Sequence, residues 1–195
     1  MKLPLLRAKI FFLLLLSVSL FSCKEEVVGP DLGANLISLN YDGANQDAPS
    51  LPGNTYEAGV RFPASQMSQY AGDRLAEAHF FIQSVPQSCE LRIYIRSAAN
   101  TPDSLVYSAN VRSALRANSW NKHTLSTPLT LTGQDLWIAI RFAHNNEQRT
   151  LGCDAGPART NGDWLLDAAD NQWIPLSQRS PININWNIRG AIDSQ

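Results

Sequence analysis

Histidines, cysteines, tryptophans and a run of acidic residues near the C-terminus are the side chains of this 195-residue chain with the most chemistry to offer. His79, His123 and His144 are isolated in the sequence, and no His-x-x-x-His or Glu-x-x-His spacing sets up a metal site. His79 alternates with the core residues of its segment, which places it on a solvated strand face. No Gly-x-Ser-x-Gly elbow or phosphate-binding loop is present, and no cofactor is expected. Carboxylate pairs such as Asp163 with Asp167, or Glu25 with Glu26, arise by chance at this acidic content. A glycosidase needs two carboxyls held about 5–9.5 Å apart, which spacing along a chain does not establish. The chain therefore reads as noncatalytic.

Binding chemistry is better represented. The segment "CDAGPARTNGDWLLDAAD" offers Asp154, Asn161, Asp163, Asp167 and Asp170, hard oxygen ligands of the kind calcium takes, with Asp154 and Asp163 foremost. Their spacing does not match an EF-hand loop, and turn formation accounts for the same residues. No metal is expected on that ground. Trp164 and Trp173 flank the same segment, where their rings either stack on a ligand such as a sugar or cap the core. Trp186 reads as core, and Trp137 opposes the face of Leu136. Cys89 and Cys153 are either separate thiols or a disulfide, which would stabilise by roughly 4 kcal/mol in the chain-entropy model.

These side chains must be held by strands. From Tyr56 onward the dominant signal is strict alternation of apolar and polar residues. In "PININWNIRGAI", Ile182, Ile184, Trp186, Ile188 and Ile192 face one way, and Asn183, Asn185, Asn187 and Arg189 face the solvent. The same pattern directs Leu91, Ile93 and Ile95 inward, then Leu136, Ile138, Ile140 and Phe142, then Ala78, Phe80 and Ile82. "NLISLNYDG", "LVYSANV" and "HTLSTPLTLTG" read as further strands, Pro128 limiting the last to an edge or a bend. One short helix is expected after Pro63, in "ASQMSQYAG", stopped by Gly72. "DWLLDAADNQWIPL" reads as a hairpin with Asp170 and Asn171 at its tip. About ten short strands and one short helix predict an all-β fold, an antiparallel, jelly-roll-like β-sandwich.

The chain is 44% hydrophobic and 17% charged, the composition of one globular domain with a core of its own. Residues 1–22 combine a basic start (Lys2, Arg7, Lys9), an apolar run from Ile10 to Leu16 and a short polar end, the anatomy of a signal peptide. Without those three basic residues the net charge falls from -1 to -4, which argues against a nucleic acid partner. "LFSC" resembles a bacterial lipobox, with Leu20, Ser22 and Cys23 in their places and Phe21 as a departure. The resemblance implies cleavage before Cys23 and its lipidation, the lipid being the sole contact with the membrane. Lys24, Glu25 and Glu26 resemble the surface-export signal of lipoproteins in the Bacteroides group. That implies an outer-membrane, outward-facing protein. Residues 23–34 then form a lipidated tether, and residues 35–195 form the β-sandwich domain.

Four segments in order, "RFPASQMSQYAGDRLAEAHFFI", "LWIAIRF", "GCDAGPARTNGDWL" and "NWNIRGAI", resemble a β-sandwich module found in secreted and surface proteins of the Bacteroides group. Gingipain-adhesin-associated proteins are among them. The likeness spans roughly Tyr56 to Ile192, although "RGAI" replaces the more usual aromatic after the glycine. It implies a surface habitat and, by association, adhesion; the anaerobic setting it implies weakens the case for a disulfide. Asp103-Ser104-Leu105 resembles the O-glycosylation triplet of the same group, which makes Ser104 a candidate acceptor in an exposed loop. The leading expectation is a noncatalytic, adhesin-like surface lipoprotein that binds a glycan or a protein. A structural or accessory subunit of a surface assembly is the alternative, and a hydrolase using loop carboxylates the weaker one.

Overall fold

A computed structural model describes residues 29–194 apart from Asp31, Ala34 and Ala99. The expected signal peptide, Cys23 and the export signal at Lys24, Glu25 and Glu26 lie outside the described residues. The alternating segments form the strands β1 (Leu36–Leu39), β2 (Ser50–Leu51), β3 (Asn54–Phe62), β4 (Arg74–Ile82), β5 (Ser88–Ala98) and β6 (Thr101–Asn110). They continue as β7 (Ser119–Thr130), β8 (Leu136–His144), β9 (Gln148–Arg149), β10 (Trp164–Asp167), β11 (Gln172–Pro175) and β12 (Ile188–Asp193). The expected helix is α1 (Ala64–Met67), extended by a 3-10 turn over Ser68–Tyr70, and it buries Met67. Gly72 follows with φ +100°, a conformation that glycine adopts without steric penalty. A second four-residue helix, α2 (Leu176–Arg179), was not legible from the sequence.

All pairings are antiparallel. One sheet runs β1-β12-β4-β7, a second runs β11-β10-β3-β8-β5-β6, and β2 pairs with β9. The two large sheets pack face to face as the expected sandwich. Leu75, Ala78, Phe80, Ile82, Ile188 and Ile192 from the first meet Ala58, Val60, Phe62, Leu91, Ile93 and Ile138 from the second, all at most 1% exposed. The sheets approach tightly at Gly190, where an added Cβ would lie 2.7 Å from Ile138 Cδ1 and 3.0 Å from Leu75 Cδ1. The sheets come together there because no side chain intervenes. β7 is an edge strand, and its register against β4 slips across the stretch containing Pro128, as a residue without a donor requires.

Two expectations about faces are corrected. His79 is fully buried rather than solvated, set in register between Arg189 and Lys122. The Arg189 guanidinium, 4.4 Å from the Trp120 ring centroid and held by Asp42, helps close that outer face. Asn185 and Asn187 are likewise buried, at 1% and 0% exposure. Only Ile188–Asp193 of their segment is strand, and the residues before it thread between loops. There Asn185 bonds Asp154 and Asn187 bonds Asp42. Alternation assigns side chains to two faces; it does not say whether loops cover the second.

Candidate functional site

The outer face of the six-stranded sheet carries the side chains out of phase with the core. In β3 these are Glu57, Gly59 and Arg61; in β8, Trp137, Ala139 and Arg141; in β10, Trp164 and Leu166. Register sets them in rows across the strands. Trp164, Gly59, Ala139 and Arg92 form one row, Arg61, Trp137 and Tyr94 the next, and Leu166, Glu57, Arg141 and Glu90 a third. Small residues at Gly59 and Ala139 leave a depression that the Trp173 ring enters, lying 3.4 Å from where a Gly59 Cβ would be.

Three tryptophans consequently meet outside the sandwich core. Trp137 is fully buried, with ring centroids 5.3 Å from Trp164 and 5.5 Å from Trp173. Its indole N–H donates to Ser97 Oγ at 2.9 Å, and Arg61 lies over its ring at 5.8 Å. Two clefts flank this cluster, each of about 500 Å³. Trp164 walls the first with Arg61, Asn100, Arg159, Asn161 and Asp163, while Trp173 walls the second with Thr101, Leu166 and Gln172. These volumes are in the range of small-molecule sites.

The polar groups of the first cleft are held in place. Arg61 donates to Asp135 Oδ2 through Nε (3.0 Å) and Nη2 (2.8 Å), and through Nη1 to Asn100 Oδ1 (2.8 Å). Asp135 also accepts from Ser97 Oγ, and these bonds together with Arg61 hold its carboxyl below its ordinary range despite burial. Asp163 Oδ2 accepts from the Ser177 N–H (2.9 Å) and Oγ–H (2.6 Å), and the Asp163 carbonyl accepts from the Leu176 N–H. The first turn of α2 is thereby tied to the residue preceding β10. Asn161, at φ +75°, accepts from the Trp164 indole at 3.4 Å.

Farther along the face lies an ionic cluster. Glu57 is 1% exposed, accepts from Tyr94 Oη at 2.5 Å, and pairs with Arg92 at 3.2 Å and Arg141 at 3.6 Å. Burial pushes its carboxyl above the ordinary range, against the pull of Tyr94 and the two arginines. Arg92 also binds Glu90. The cluster crosses β3, β5 and β8 and fixes their outer faces relative to one another.

Other residues singled out in the sequence are dispersed. Cys89 and Cys153 are free, buried thiols, so of the two alternatives the structure takes the unbonded one; burial pushes both to about 12. Asp154 accepts from the Asn185 N–H and Nδ2, the Gly156 N–H and the Gly43 N–H, a set of turn-forming bonds. Asp167 bonds Asn54 and the Ala169 N–H, and Asp170 bonds Arg179. No group of three metal-ligating side chains occurs among the described residues. Ser104 lies inside edge strand β6, not in the expected loop, and its hydroxyl contacts Asp103 and Arg96 at 3.3 Å. His123 accompanies Tyr107, and His144 bonds the Asn146 carbonyl. Arg61, Arg159 and Asn100 are cleft residues that sequence reasoning missed. The available signal was Trp137, a large aromatic at an outward position of a strand whose inward set was already complete.

No protein-family model matches this chain, and no curated protein matches it by sequence. Solved structures do. A structure of the clostridial cysteine protease Cwp84 after propeptide cleavage superposes with a TM-score of 0.58 at 14% identity, covering 85% of this chain and 41% of that one. A structure of the cysteine protease and lectin-like domains of Cwp84, a surface-layer-associated protein of Clostridium difficile, gives 0.52 at 15% identity, covering 85% and 37%. The chain spans about two fifths of the length of these structures. The likeness is one of fold: this antiparallel β-sandwich is similar to part of a surface-associated protein that carries a lectin-like domain.

Proposed function

We propose that the chain is a noncatalytic saccharide-binding module displayed on a cell surface. The observation that carries this reading is the tryptophan cluster outside the core, with a polar cleft against Trp164. Indole rings pack on the C–H face of a pyranose ring, and the surrounding amides and the exposed Arg159 guanidinium match its hydroxyls as donors and acceptors. An all-β chain overlaying two fifths of Cwp84 fits its lectin-like rather than its protease part. The carboxylates a hydrolase would use, Asp163 and Asp167, are engaged in capping and turn bonds. Lipidation of Cys23 and export through Lys24, Glu25 and Glu26 complete the reading and supply the outward-facing, membrane-anchored setting.

The test is binding of the full chain to an array of bacterial, plant and host glycans, with Thr160→Trp and Trp164→Leu as variants. Thr160 is exposed and lines the cleft, so a tryptophan there blocks it without disturbing the core. Binding by the wild type and loss in both variants is the expected result; binding that survives Thr160→Trp at full strength refutes the site. A second reading, an accessory subunit of a surface assembly, draws on edge strand β6, where Leu105 is 49% and Val106 39% exposed. Copurification of an outer-membrane complex, abolished by Leu105→Lys, with no glycan bound, would favour it.

A further inference from the structure

We infer that the saccharide site continues over the ridge at Ala158 and Arg159 into a neighbouring cleft, so that the module recognises a stretch of at least two sugar units rather than one terminal sugar. This rests on the saccharide reading of the Trp164 cleft. A third cleft, of about 420 Å³, lies on the other side of that ridge and is walled by Gly43, Gln46, Asp154, Gly156, Pro157 and Asn185. It shares Ala158 and Arg159 with the Trp164 cleft, so the two form adjoining compartments with one common wall.

The wall is built to hold its shape. The Ala158 N–H donates to Asn183 Oδ1 at 2.5 Å, and the Arg159 N–H donates to Asn185 Oδ1 at 2.6 Å. Asn185, itself 1% exposed, returns two bonds through Nδ2, to Asp154 Oδ2 at 2.9 Å and to the Pro157 carbonyl at 3.0 Å. Asp154 is thus saturated, and its role in the third cleft is to stiffen the wall. Such anchoring lowers the ordering cost that a ligand must otherwise meet. The Arg159 side chain is exposed, and no salt bridge engages it among the described residues, although Arg61 in the same cleft is paired with Asp135. A guanidinium with its donors uncommitted, at the boundary of two compartments, can donate to hydroxyls of both sugar units.

The two compartments differ in a way that orders the subsites. Trp164, 9% exposed, gives the first an aromatic wall, so it takes the apolar C–H side of one pyranose. The third has no aromatic wall and offers the Gln46 amide, backbone groups and Arg159, which suits the edge and hydroxyls of the next unit. A terminal sugar would fill only the first.

The experiment is titration calorimetry of the full chain with mannose, glucose and galactose and with the di-, tri- and tetrasaccharides of each series. The expected result is affinity that rises about tenfold from mono- to disaccharide in at least one series. Two blocking variants, Gln46→Trp and Gly43→Leu, remove that gain and leave monosaccharide affinity unchanged. Gln46 is exposed, and a Cβ at Gly43 meets only Asp154, at 4.0 Å, so both are accommodated by the fold. Equal affinity along every series, or a gain that survives both variants, overturns the extension while leaving the Trp164 site standing. Absence of binding by every sugar in every series overturns the saccharide reading itself.

Discussion

Asp163 and Trp164 are neighbours in the chain, yet the first turns inward to bond Ser177 and the second outward to pack on Trp137. At this scale the buried polar residues make the sharpest predictions. His79 has no exposure, and burial lowers its pKa below the ordinary imidazole value, against the pull of Glu77 at 2.8 Å and with Lys122 and Arg189 nearby. A folded-state pKa below the unfolded one means the unfolded chain binds more protons. The stability so contributed is present above the ordinary imidazole range and is lost as pH falls through the folded-state value. Urea titrations between pH 8 and pH 5 are expected to show wild type losing stability relative to His79→Gln as pH falls, with a constant difference refuting the assignment. Asp42 is fully buried at its side chain and answered by Arg189. Arg189→Met strands that carboxylate and is expected to cost about 3–5 kcal/mol, whereas adding Asp42→Asn recovers part of the loss. Equal stability of the single and double variants would show that the unpaired Asp42 carboxylate carries no burial cost.

Among the elements, register is what makes the site. Trp164, Trp137 and Trp173 come from β10, β8 and β11 and meet only because β3 places Gly59 between β10 and β8. Chain periodicity assigned the inward residues of β4 and β8 correctly, since Ala78, Phe80, Ile82, Leu136, Ile138, Ile140 and Phe142 are all buried, and in β5 it placed Leu91 and Ile93, while Ile95 is only half-buried. It also anticipated the β10–β11 hairpin, whose turn has Asn171 at φ +53°. The neighbours of each strand were not legible, because pairing between distant segments depends on which faces complement each other and not on either segment alone. The approach of the sheets at Gly190 is a property of the same kind. Gly190→Val places its side chain against Ile138 and Leu75 and is expected to destabilise by about 1–3 kcal/mol, read as a lower midpoint in chemical denaturation. An unchanged midpoint would mean that the sheets can part there at little cost.

At the scale of the whole molecule, one sandwich has two outer faces with different contents. The four-stranded sheet covers its outer face with Arg189 and Trp120, and the six-stranded sheet carries the tryptophan cluster and its clefts. Cys89 and Cys153, buried at 1% and 2% exposure, are expected to resist thiol reagents until unfolding and then to react without reductant. Mass spectrometry of the two peptides checks this, and labelling of neither after denaturation would mean that they are bonded. Alternation by itself determined the all-β class and most inward residues, because solvent exclusion acts along one segment, and local start, stop and turn residues at Pro63, Gly72 and Asp170-Asn171 determined the short helix and the hairpin. Only the tertiary structure decided that His79, Asn185 and Asn187 are buried, that the thiols stay apart, and that Trp164 shares a cleft with Arg61, Asn100 and Arg159. Those outcomes depend on which loops cover a strand's second face and which strands lie side by side, and both are set by contacts between residues far apart in the chain.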